Sequence, residues 1–418
     1  LTWPIIPLIL HLLQLQRTHK FLWFYIFSRA TKISMEKVPV FIVGAGPSGL
    51  AAAACLTQVS IPYVIVERED CSASLWRKRT YDRLKLHLPK EFCELPHMPY
   101  PSDTPTYIPK DLFVRYVDAY TEHFKICPKY MTSVQSAEHD EVSSCWIIMA
   151  HDQVTGLVTE YTARFLVVAT GENSEGNIPQ IAGIHDFTGD VIHSSSYKSW
   201  NNWEGKRVLV VGSGNSGMEI AYDLASHGVD TSIVIRSPFH VMTSGLIRLG
   251  MQLSKWNIPV KFVDFILVTL AYMWFGNLSK HGISRPNMGP LFLKARTGRS
   301  AVIDIGTVDL IKKNIIKVLG PVCCIKGSAV EFEDGKRDHF DSLVFATGYK
   351  STANIWLKDG ESMLNDKGMP KRDFPNHWKG ENGIYCVGLA MRGLAGISYD
   401  AKMVAGDIKS IIDSMASF

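Results

Sequence analysis

The stretch VPVFIVGAGPSGLAAAACLTQVSIPYVIVE, which occupies residues 38–67, decides the fold of this 418-residue chain. Its first run, Val38–Val43, is apolar and rich in β-branched residues, which is typical of a buried parallel strand. A glycine turn, Gly44–Gly49, leads into an alanine-rich run of helix-forming composition, and a second apolar run ends on Glu67. Strand, glycine turn, helix, strand and terminal acid in this order predict a dinucleotide-binding unit.

Each feature of this first glycine turn has a predicted role. Gly44 permits the tight turn, Gly46 lets a pyrophosphate approach the backbone, and Gly49 lets the helix pack closely on the strand. The helix N-terminus faces the phosphates, and the carboxylate of Glu67 accepts hydrogen bonds from ribose hydroxyls. A GxGxxG pattern by itself also occurs in ordinary glycine-rich turns, but here the strands, helix and acid are in register. The residues predicted to bind this nucleotide are Gly44, Gly46, Pro47, Ser48, Gly49 and Glu67.

The same pattern recurs in the middle of the chain. A strand at Arg207–Val211 precedes a second glycine turn, Gly212–Gly217, and the next strand, Thr231–Ile235, ends on Arg236 where the first unit has Glu67. A carboxylate at that position suits a free ribose hydroxyl, whereas a guanidinium suits a 2′-phosphate. We therefore predict FAD in the first unit and NADPH in the second, with a solvated charge at a strand end as the alternative for Arg236. The predicted NADPH-binding residues are Gly212, Ser213, Gly214, Asn215, Ser216, Gly217 and Arg236.

Size and internal organisation predict an α/β protein of two domains. The apolar content of 46% and charged content of 20% are ordinary for a globular chain of this length. The tripeptide Ala-Thr-Gly follows a strand twice, at 169–171 and at 346–348, where the chain would pass between domains. We predict two Rossmann-like dinucleotide-binding domains, the NADPH domain inserted in the FAD domain. The predicted limits are 35–199 and 318–418 for the FAD-binding domain and 200–317 for the NADPH-binding domain.

Charge and cysteine usage exclude several other classes. The net charge of +4 comes entirely from residues 1–34, and the remainder carries 40 basic and 40 acidic residues. A balanced body gives no reason to expect nucleic-acid binding. The eight cysteines form no CxxC pair and no Cys/His cluster, so we expect reduced thiols in a cytoplasmic protein and no metal site.

Two apolar segments raise the question of a membrane. Residues 1–34 are basic and free of acids, but neither of their apolar patches reaches the roughly 20 residues of a spanning helix. We expect this extension to be disordered or non-native, with the fold beginning at Met35; the alternative is a weak anchor to the endoplasmic reticulum. The run Val263–Phe275 is also too short to span and predicts a buried or interface helix. We therefore predict no firm membrane association.

A spaced motif lies between the two units. Phe187, Gly189, His193 and Tyr197 follow the pattern FxGxxxHxxxY, and with it the chain resembles the class B flavin-containing monooxygenases, for which this spacing is specific. The closer resemblance is to the plant YUCCA branch, the indole-3-pyruvate monooxygenases of auxin biosynthesis. The resemblance covers residues 36–412. The segments that match that branch are 81–90 (YDRLKLHLPK), 169–173 (ATGEN), 345–349 (FATGY) and 374–380 (FPNHWKG).

The resemblance implies the chemistry. FAD and NADPH would be the cofactors, and a small 2-oxo acid and dioxygen the substrates. The implied reaction is the oxidative decarboxylation of indole-3-pyruvate to indole-3-acetate through a C(4a)-peroxyflavin. Two alternatives share the architecture: oxygenation of a soft nitrogen or sulfur atom, and disulfide reduction, against which the absence of CxxC argues. A binding protein that retains the fold without catalysis is a further alternative.

The resemblance also names site residues outside the glycine turns. His87 and Asn173 are candidate catalytic residues, and Trp76 is a further cofactor-binding candidate. His87 stands where the wider family has an Asn near the flavin, so the role of that Asn does not carry over; a hydrogen-bonded core histidine is equally compatible. The segment around His87, residues 81–90, alternates apolar and polar side chains, which predicts extended chain. For His193 and Tyr197 we predict a structural role, as a hydrogen-bonded hinge between domains.

Overall fold

The structure, a computed structural model, describes residues 34–416 except residue 257. Within them, the α-helices are α1 (Pro47–Gln58), α2 (Ser74–Lys78), α3 (Lys110–His123), α4 (Asn215–Ser226), α5 (Ser244–Lys255), α6 (Val260–Phe275), α7 (Pro290–Thr297), α8 (Thr307–Lys312), α9 (Ala353–Trp356) and α10 (Leu394–Ala416). The strands are β1 (Ser34–Val43), β2 (Tyr63–Val66), β3 (Thr132–Asp140), β4 (Cys145–Asp152), β5 (Val158–Val168), β6 (Glu175–Gly176), β7 (Asp190–His193), β8 (Arg207–Val211), β9 (Asp230–Val234), β10 (Val241–Met242), β11 (Val302–Ile303), β12 (Ile316–Leu319), β13 (Val322–Lys326), β14 (Ala329–Phe332), β15 (Arg337–His339), β16 (Ser342–Phe345), β17 (Tyr349–Lys350) and β18 (Ile384–Cys386).

The first unit is built on a six-stranded sheet. Its order is β2-β1-β5-β4-β3, and β18 pairs with β5 as well. Strands β2, β1, β5 and β18 run parallel, whereas β3, β4 and β5 form an antiparallel meander. Val40, Phe41 and Ile42 are fully buried because both faces of the parallel part are covered. Helices α1 and α10 pack against each other over one of these faces.

The second unit is built on a five-stranded sheet in which all neighbouring strands run parallel. Its order is β12-β9-β8-β16-β7. The antiparallel strands β13, β14 and β15 form a separate three-stranded sheet. Because the chain leaves the first sheet after β5 and returns to it at β18, the second unit is inserted in the first. The predicted fold class, α/β with one Rossmann-like unit inserted in another, is confirmed.

The domain limits remain predictions, and strand pairing favours wider limits for the second unit. Strand β16 pairs with both β7 and β8, so β7 and β16 belong to the second sheet although they lie outside 200–317. Of the extension, residues 1–33 lie outside the described residues. Ser34, in contrast, is the first residue of β1, and its hydroxyl lies 2.9 Å from the hydroxyl of Thr159.

Two local predictions differ from the structure. Residues 81–90 form no regular strand, and their only bridge pairs Lys85 with Pro109. Two of its polar side chains, Arg83 and His87, instead pair with acids on α4. The sequence also predicts a closing helix from Tyr399 to Ser414, and in the structure this helix begins earlier, at Leu394. Among the described residues, no helix combines the length and the apolar content that crossing a membrane requires.

Candidate active site

The first glycine turn connects β1 to α1 and leaves open space above one glycine. Gly44 has a φ of +105°, and a Cβ placed there would lie 2.6 Å from the carbonyl oxygen of Ala169. A Cβ on Gly49 would lie 1.8 Å from the carbonyl oxygen of Gly44, so the helix could not pack so closely on the strand. A Cβ on Gly46, in contrast, would meet nothing within 4 Å. This open space at the N-terminus of α1 fits a pyrophosphate, as predicted.

Glu67 is fixed beside this turn. Its Oε2 accepts a hydrogen bond of 2.8 Å from the backbone N–H of Ala45, and its Oε1 accepts one of 3.0 Å from that of Glu69. The side chain is buried, and this desolvation raises the pKa of the Glu67 carboxyl. Each carboxylate oxygen keeps a lone pair, so a ribose diol could donate to both.

The second glycine turn, between β8 and α4, repeats this geometry. Gly212 has a φ of +115°, and a Cβ on Gly217 would lie 1.9 Å from the carbonyl oxygen of Gly212. A Cβ on Gly214 would again meet nothing within 4 Å. The side chain of Asn215 points elsewhere, because its Oδ1 accepts a hydrogen bond of 2.8 Å from the backbone N–H of Ile303. Asn215 therefore ties the start of α4 to β11 and contributes its backbone to the turn.

Arg236 lies just beyond the end of β9. Its side chain is exposed, and within the described part of the chain no hydrogen bond or ion pair engages its guanidinium. The group is therefore available to a 2′-phosphate that a nucleotide on the second turn would carry. The acid and the arginine thus follow the second strand of their respective units, as the sequence predicts.

The two units meet along the segment that contains His87. His87 Nε2 lies 2.7 Å from Glu219 Oε1, and Arg83 Nη1 lies 3.4 Å from Asp223 Oδ1. Tyr197 donates a hydrogen bond of 2.7 Å to Asp223 Oδ2. Glu219 and Asp223 are buried and stand one turn apart on α4, the helix that begins at the second glycine turn. We call His87, Glu219, Arg83, Asp223 and Tyr197 the α4 clamp.

The structure favours a structural role for His193. Its Nε2 lies 2.9 Å from the carbonyl oxygen of Gly348, and its Nδ1 lies 3.0 Å from the hydroxyl of Ser195. Burial lowers the pKa of the His193 imidazole. These contacts tie the end of β7 to the Ala-Thr-Gly turn that precedes β17. With Tyr197 in the α4 clamp, the histidine and the tyrosine of the spaced motif both connect elements of the fold, and both are buried.

The structure does not bring the remaining predicted site residues, His87, Asn173 and Trp76, together in one site. Asn173 is exposed in the loop after β5, and no contact joins its side chain to His87 within the described residues. Trp76 lies on α2, partly buried, and packs on the hydrophobic cores of both units, with its ring 4.6 Å from that of Phe113. The catalytic roles of His87 and Asn173, and the cofactor contact of Trp76, stay predictions.

Sequence reasoning did not anticipate a group of charges between the units. Burial raises the pKa of the Glu172 carboxyl, whose Oε2 has no hydrogen-bond partner in the described chain. Burial also lowers the pKa of Lys294 on α7, a residue close enough to Glu172 and Arg392 to interact with both charges. Lys294 donates to Ser300 at 2.7 Å, and the guanidinium of Arg392 lies 3.9 Å above the ring of Phe374. The position of Glu172 in the Ala-Thr-Gly-Glu-Asn segment was the one sequence feature that could have suggested it.

This group lies beside the first glycine turn. Glu172 follows the Ala169–Gly171 turn, in which the carbonyl oxygen of Ala169 lies against Gly44. The loop that carries Arg392 starts at Gly388, where an added Cβ would lie 2.0 Å from Ser48 Oγ on α1. We call Glu172, Lys294 and Arg392 the interdomain charge group.

Known proteins share this architecture. The pyridine nucleotide-disulphide oxidoreductase family matches residues 41–246. A flavin-containing monooxygenase from Stenotrophomonas maltophilia superposes with a TM-score of 0.68 at 19% identity, over 90% of this chain and 100% of its own. The fold is therefore that of the flavin monooxygenases.

Sequence relatives narrow the class. The probable indole-3-pyruvate monooxygenase YUCCA10 of Arabidopsis thaliana is 50% identical over 91% of this chain and 99% of its own length. The indole-3-pyruvate monooxygenase YUCCA1 of Oryza sativa subsp. japonica is 46% identical over 88% of this chain and 90% of its own. The chain belongs to the YUCCA family of indole-3-pyruvate monooxygenases. Membership confirms the predicted class, a flavoprotein monooxygenase that uses FAD and NADPH, and the two open glycine turns fit these nucleotides.

Proposed function

We propose that this chain converts indole-3-pyruvate to indole-3-acetate, the auxin-forming reaction, at the expense of NADPH and dioxygen. One observation carries the proposal: a single chain presents two open glycine turns of the same geometry, one followed by Glu67 and the other by Arg236, in a family of indole-3-pyruvate monooxygenases. The balance is one 2-oxo acid, one dioxygen, one NADPH and one proton, giving the shortened acid, carbon dioxide, water and NADP⁺. One oxygen atom enters the acid and the other leaves as water.

The two turns would hold the cofactors. The backbone around Gly46 would bind the FAD pyrophosphate, and Glu67 would accept from the ribose hydroxyls. The backbone around Gly214 would bind the NADPH pyrophosphate, and Arg236 would pair with the 2′-phosphate. Bound together, these cofactors supply the two electrons with which one atom of dioxygen is reduced to water.

The α4 clamp would set the distance between the cofactors. Helix α4 starts at the NADPH-binding turn, and its two buried acids are held by His87 and Arg83, which belong to the first unit. A fixed α4 fixes the direction in which NADPH points towards the flavin. Positioning of reacting groups is where a protein contributes most to cofactor chemistry.

We further propose that the interdomain charge group recognises the carboxylate of the 2-oxo acid. Lys294 and Arg392 are cations from two different elements beside the first glycine turn, and a carboxylate that enters between the units could pair with them. Glu172, whose pKa burial raises, adds little repulsion when it holds a proton. The group would thus select an acid over a neutral analogue.

Product analysis tests the reaction. The full chain, loaded with FAD, is supplied with NADPH, air and indole-3-pyruvate, and carbon dioxide and NADPH are quantified. We expect one carbon dioxide for each NADPH consumed. Consumption of NADPH without carbon dioxide, or oxygenation of an amine or thioether in place of decarboxylation, would overturn the assignment.

A variant tests the carboxylate site. Lys294→Met should raise KM for indole-3-pyruvate by about tenfold or more, because a charge-assisted contact is lost. KM for NADPH should stay unchanged, and so should both constants in the control Lys280→Met, since Lys280 is exposed on the same unit. An unchanged KM for the 2-oxo acid in Lys294→Met would remove Lys294 from the substrate site while leaving the reaction itself intact.

A further inference from the structure

Helix α6 is apolar on the side that faces the protein. Its inward residues recur at every fourth position and are all buried: Val263, Leu267, Ala271 and Phe275. They belong to the core of the second unit and pack between α5 and α7. This stripe is sufficient to hold the helix in place.

The opposite side of α6 is apolar as well, and it faces solvent. Phe265 is 68% exposed and Met273 is 75% exposed, and they share this side with Phe262 and Tyr272, both more than half exposed. Two further exposed residues extend the surface along the chain, one at the end of α5 and one near the end of α6, beside Leu246. We call the following six residues the exposed apolar face: Trp256, Phe262, Phe265, Tyr272, Met273 and Trp274.

Such a helix is unusual at a protein surface. A helix that is apolar on all sides is normally enclosed, and a contiguous exposed apolar patch marks a place where something binds. Three of the six residues are Trp or Tyr, the side chains that prefer the boundary between lipid and water. At 16 residues, α6 is shorter than the roughly 20 that span a bilayer. It could lie in the plane of a membrane surface but not cross it.

Charge identifies the partner. Residues 237–303, which contain α5, α6 and α7, include a single acid, Asp264. That acid is buried, and its carboxylate accepts hydrogen bonds of 2.8 and 3.1 Å from the backbone N–H groups of Leu291 and Phe292. The same range carries eight basic residues, while the rest of the chain beyond residue 34 has 32 basic against 39 acidic. One of the eight, Lys294, belongs to the interdomain charge group, and the seven exposed ones are Arg248, Lys255, Lys261, Lys280, Arg285, Arg296 and Arg299.

This charge separation favours an anionic lipid surface over a second copy of the chain. Two copies that met through their exposed apolar faces would bring like charges together, which costs free energy. Anionic headgroups, in contrast, attract basic residues next to an apolar face. Lys255 ends α5, with its ammonium 4.2 Å above the ring of Phe92, and Lys261 lies on α6. Both are exposed, and they directly precede Trp256 and Phe262 in the chain.

We propose that the exposed apolar face and its neighbouring lysines bind the surface of an anionic bilayer. Helix α6 lies flat at the headgroup boundary with Phe265 and Met273 among the acyl chains, and Lys255 and Lys261 contact anionic headgroups. Such adsorption is reversible, depends on lipid charge and weakens with salt, because surface ion pairs are screened. It requires no spanning segment.

Co-sedimentation of the full, FAD-loaded chain with vesicles tests this proposal. One set of vesicles is phosphatidylcholine alone, and the other contains phosphatidylserine as well. We expect binding to the second set, reduced by added salt. The double variant Phe265→Ser/Met273→Ser and the double variant Lys255→Glu/Lys261→Glu should each bind about tenfold more weakly. The control Val142→Ser/Ile355→Ser removes two apolar side chains of the other unit that are at least as exposed, and it should bind as the parent does.

Residues 1–34 are present in every variant, so a difference in vesicle binding between variants reports on the substituted residues of α5 and α6. NADPH consumption should be unchanged in the Phe265→Ser/Met273→Ser variant, which shows that it is folded. Sedimentation velocity supplies the competing outcome. A parent that forms dimers which this variant dissolves, without vesicle binding, would assign the face to a second copy and overturn the proposal. Equal vesicle binding by parent and variants would overturn it too.

Discussion

His87 Nε2 lies 2.7 Å from Glu219 Oε1 and thereby joins the first unit to the helix that starts at the second glycine turn. Glu219 is buried, so its carboxylate depends on this partner for compensation. In the irregular segment 81–90, two of the polar side chains, Arg83 and His87, pair with acids of α4.

Glu219→Gln should slow the reduction of bound FAD by NADPH by about tenfold or more, because α4 loses its fixed position. FAD content should stay unchanged, because the first glycine turn is untouched. Rapid mixing without oxygen measures the rate. Glu138→Gln is the matched control, since Glu138 pairs with Lys358 in the first unit, away from α4.

His87→Gln separates positioning from direct catalysis. If His87 acts only through Glu219, the double variant His87→Gln/Glu219→Gln is no slower than either single variant. A further loss of rate in the double variant would give His87 a role of its own beside the flavin, as the resemblance implied.

Gly46→Val should abolish FAD retention while the chain still folds. The added side chain meets no protein atom within 4 Å at its Cβ, so it fills the space meant for the pyrophosphate. Gly214→Val should retain FAD and lose NADPH binding. Gly406→Val, at an exposed position of α10 with equally open surroundings, should retain both. Flavin absorbance of the purified variants measures how much FAD each one retains. A Gly46→Val variant that stays yellow would contradict the placement of FAD at the first glycine turn.

Arg236→Ala should raise KM for NADPH about tenfold to a hundredfold and leave KM for NADH nearly unchanged. The reason is the loss of a charge-assisted contact to the 2′-phosphate, which NADH lacks. Arg337→Ala, another exposed arginine of the inserted region, serves as the control. Equal effects on both nucleotides would make Arg236 a solvated strand-end charge.

Stability should fall in mild acid. Burial lowers the pKa of His193 and of His240 below the ordinary 6.5, so below that pH the unfolded chain binds protons that the folded chain does not. The free energy of unfolding then decreases as pH falls, by at most about 1.4 kcal/mol per pH unit for each histidine. Urea unfolding at about pH 7.5 and about pH 5.5 measures the loss. The free energy of unfolding of His193→Gln should fall less between these two pH values than that of the parent. The control His185→Gln, at an exposed position, should lose as much as the parent.

Local pattern was enough to predict both glycine turns. Each turn is specified within about thirty residues, because its backbone geometry accommodates only glycine at certain positions. Gly49 is an example, since a Cβ there would collide with the carbonyl oxygen of Gly44. The positions of Glu67 and Arg236, just beyond the second strand of each unit, could be predicted for the same reason. The fold class followed from the repetition of the unit.

Contacts between the units could not be predicted. His87 and Glu219 are 132 residues apart, and nothing in either segment specifies the other. Lys294 was missed because only the folded chain brings α7 next to Glu172. The outer side of α6 was also ambiguous, since an apolar run alone does not tell a buried helix from one that offers a face to a partner.

The most direct test is an anaerobic titration of the FAD-loaded chain with NADPH. Both nucleotides must be bound on one chain and face each other for electrons to pass between them. We expect one NADPH to bleach the absorbance of one flavin, and NADH to do so far less efficiently. A flavin that stays oxidised although NADPH is bound would contradict the account, because the two glycine turns would then not hold a redox pair.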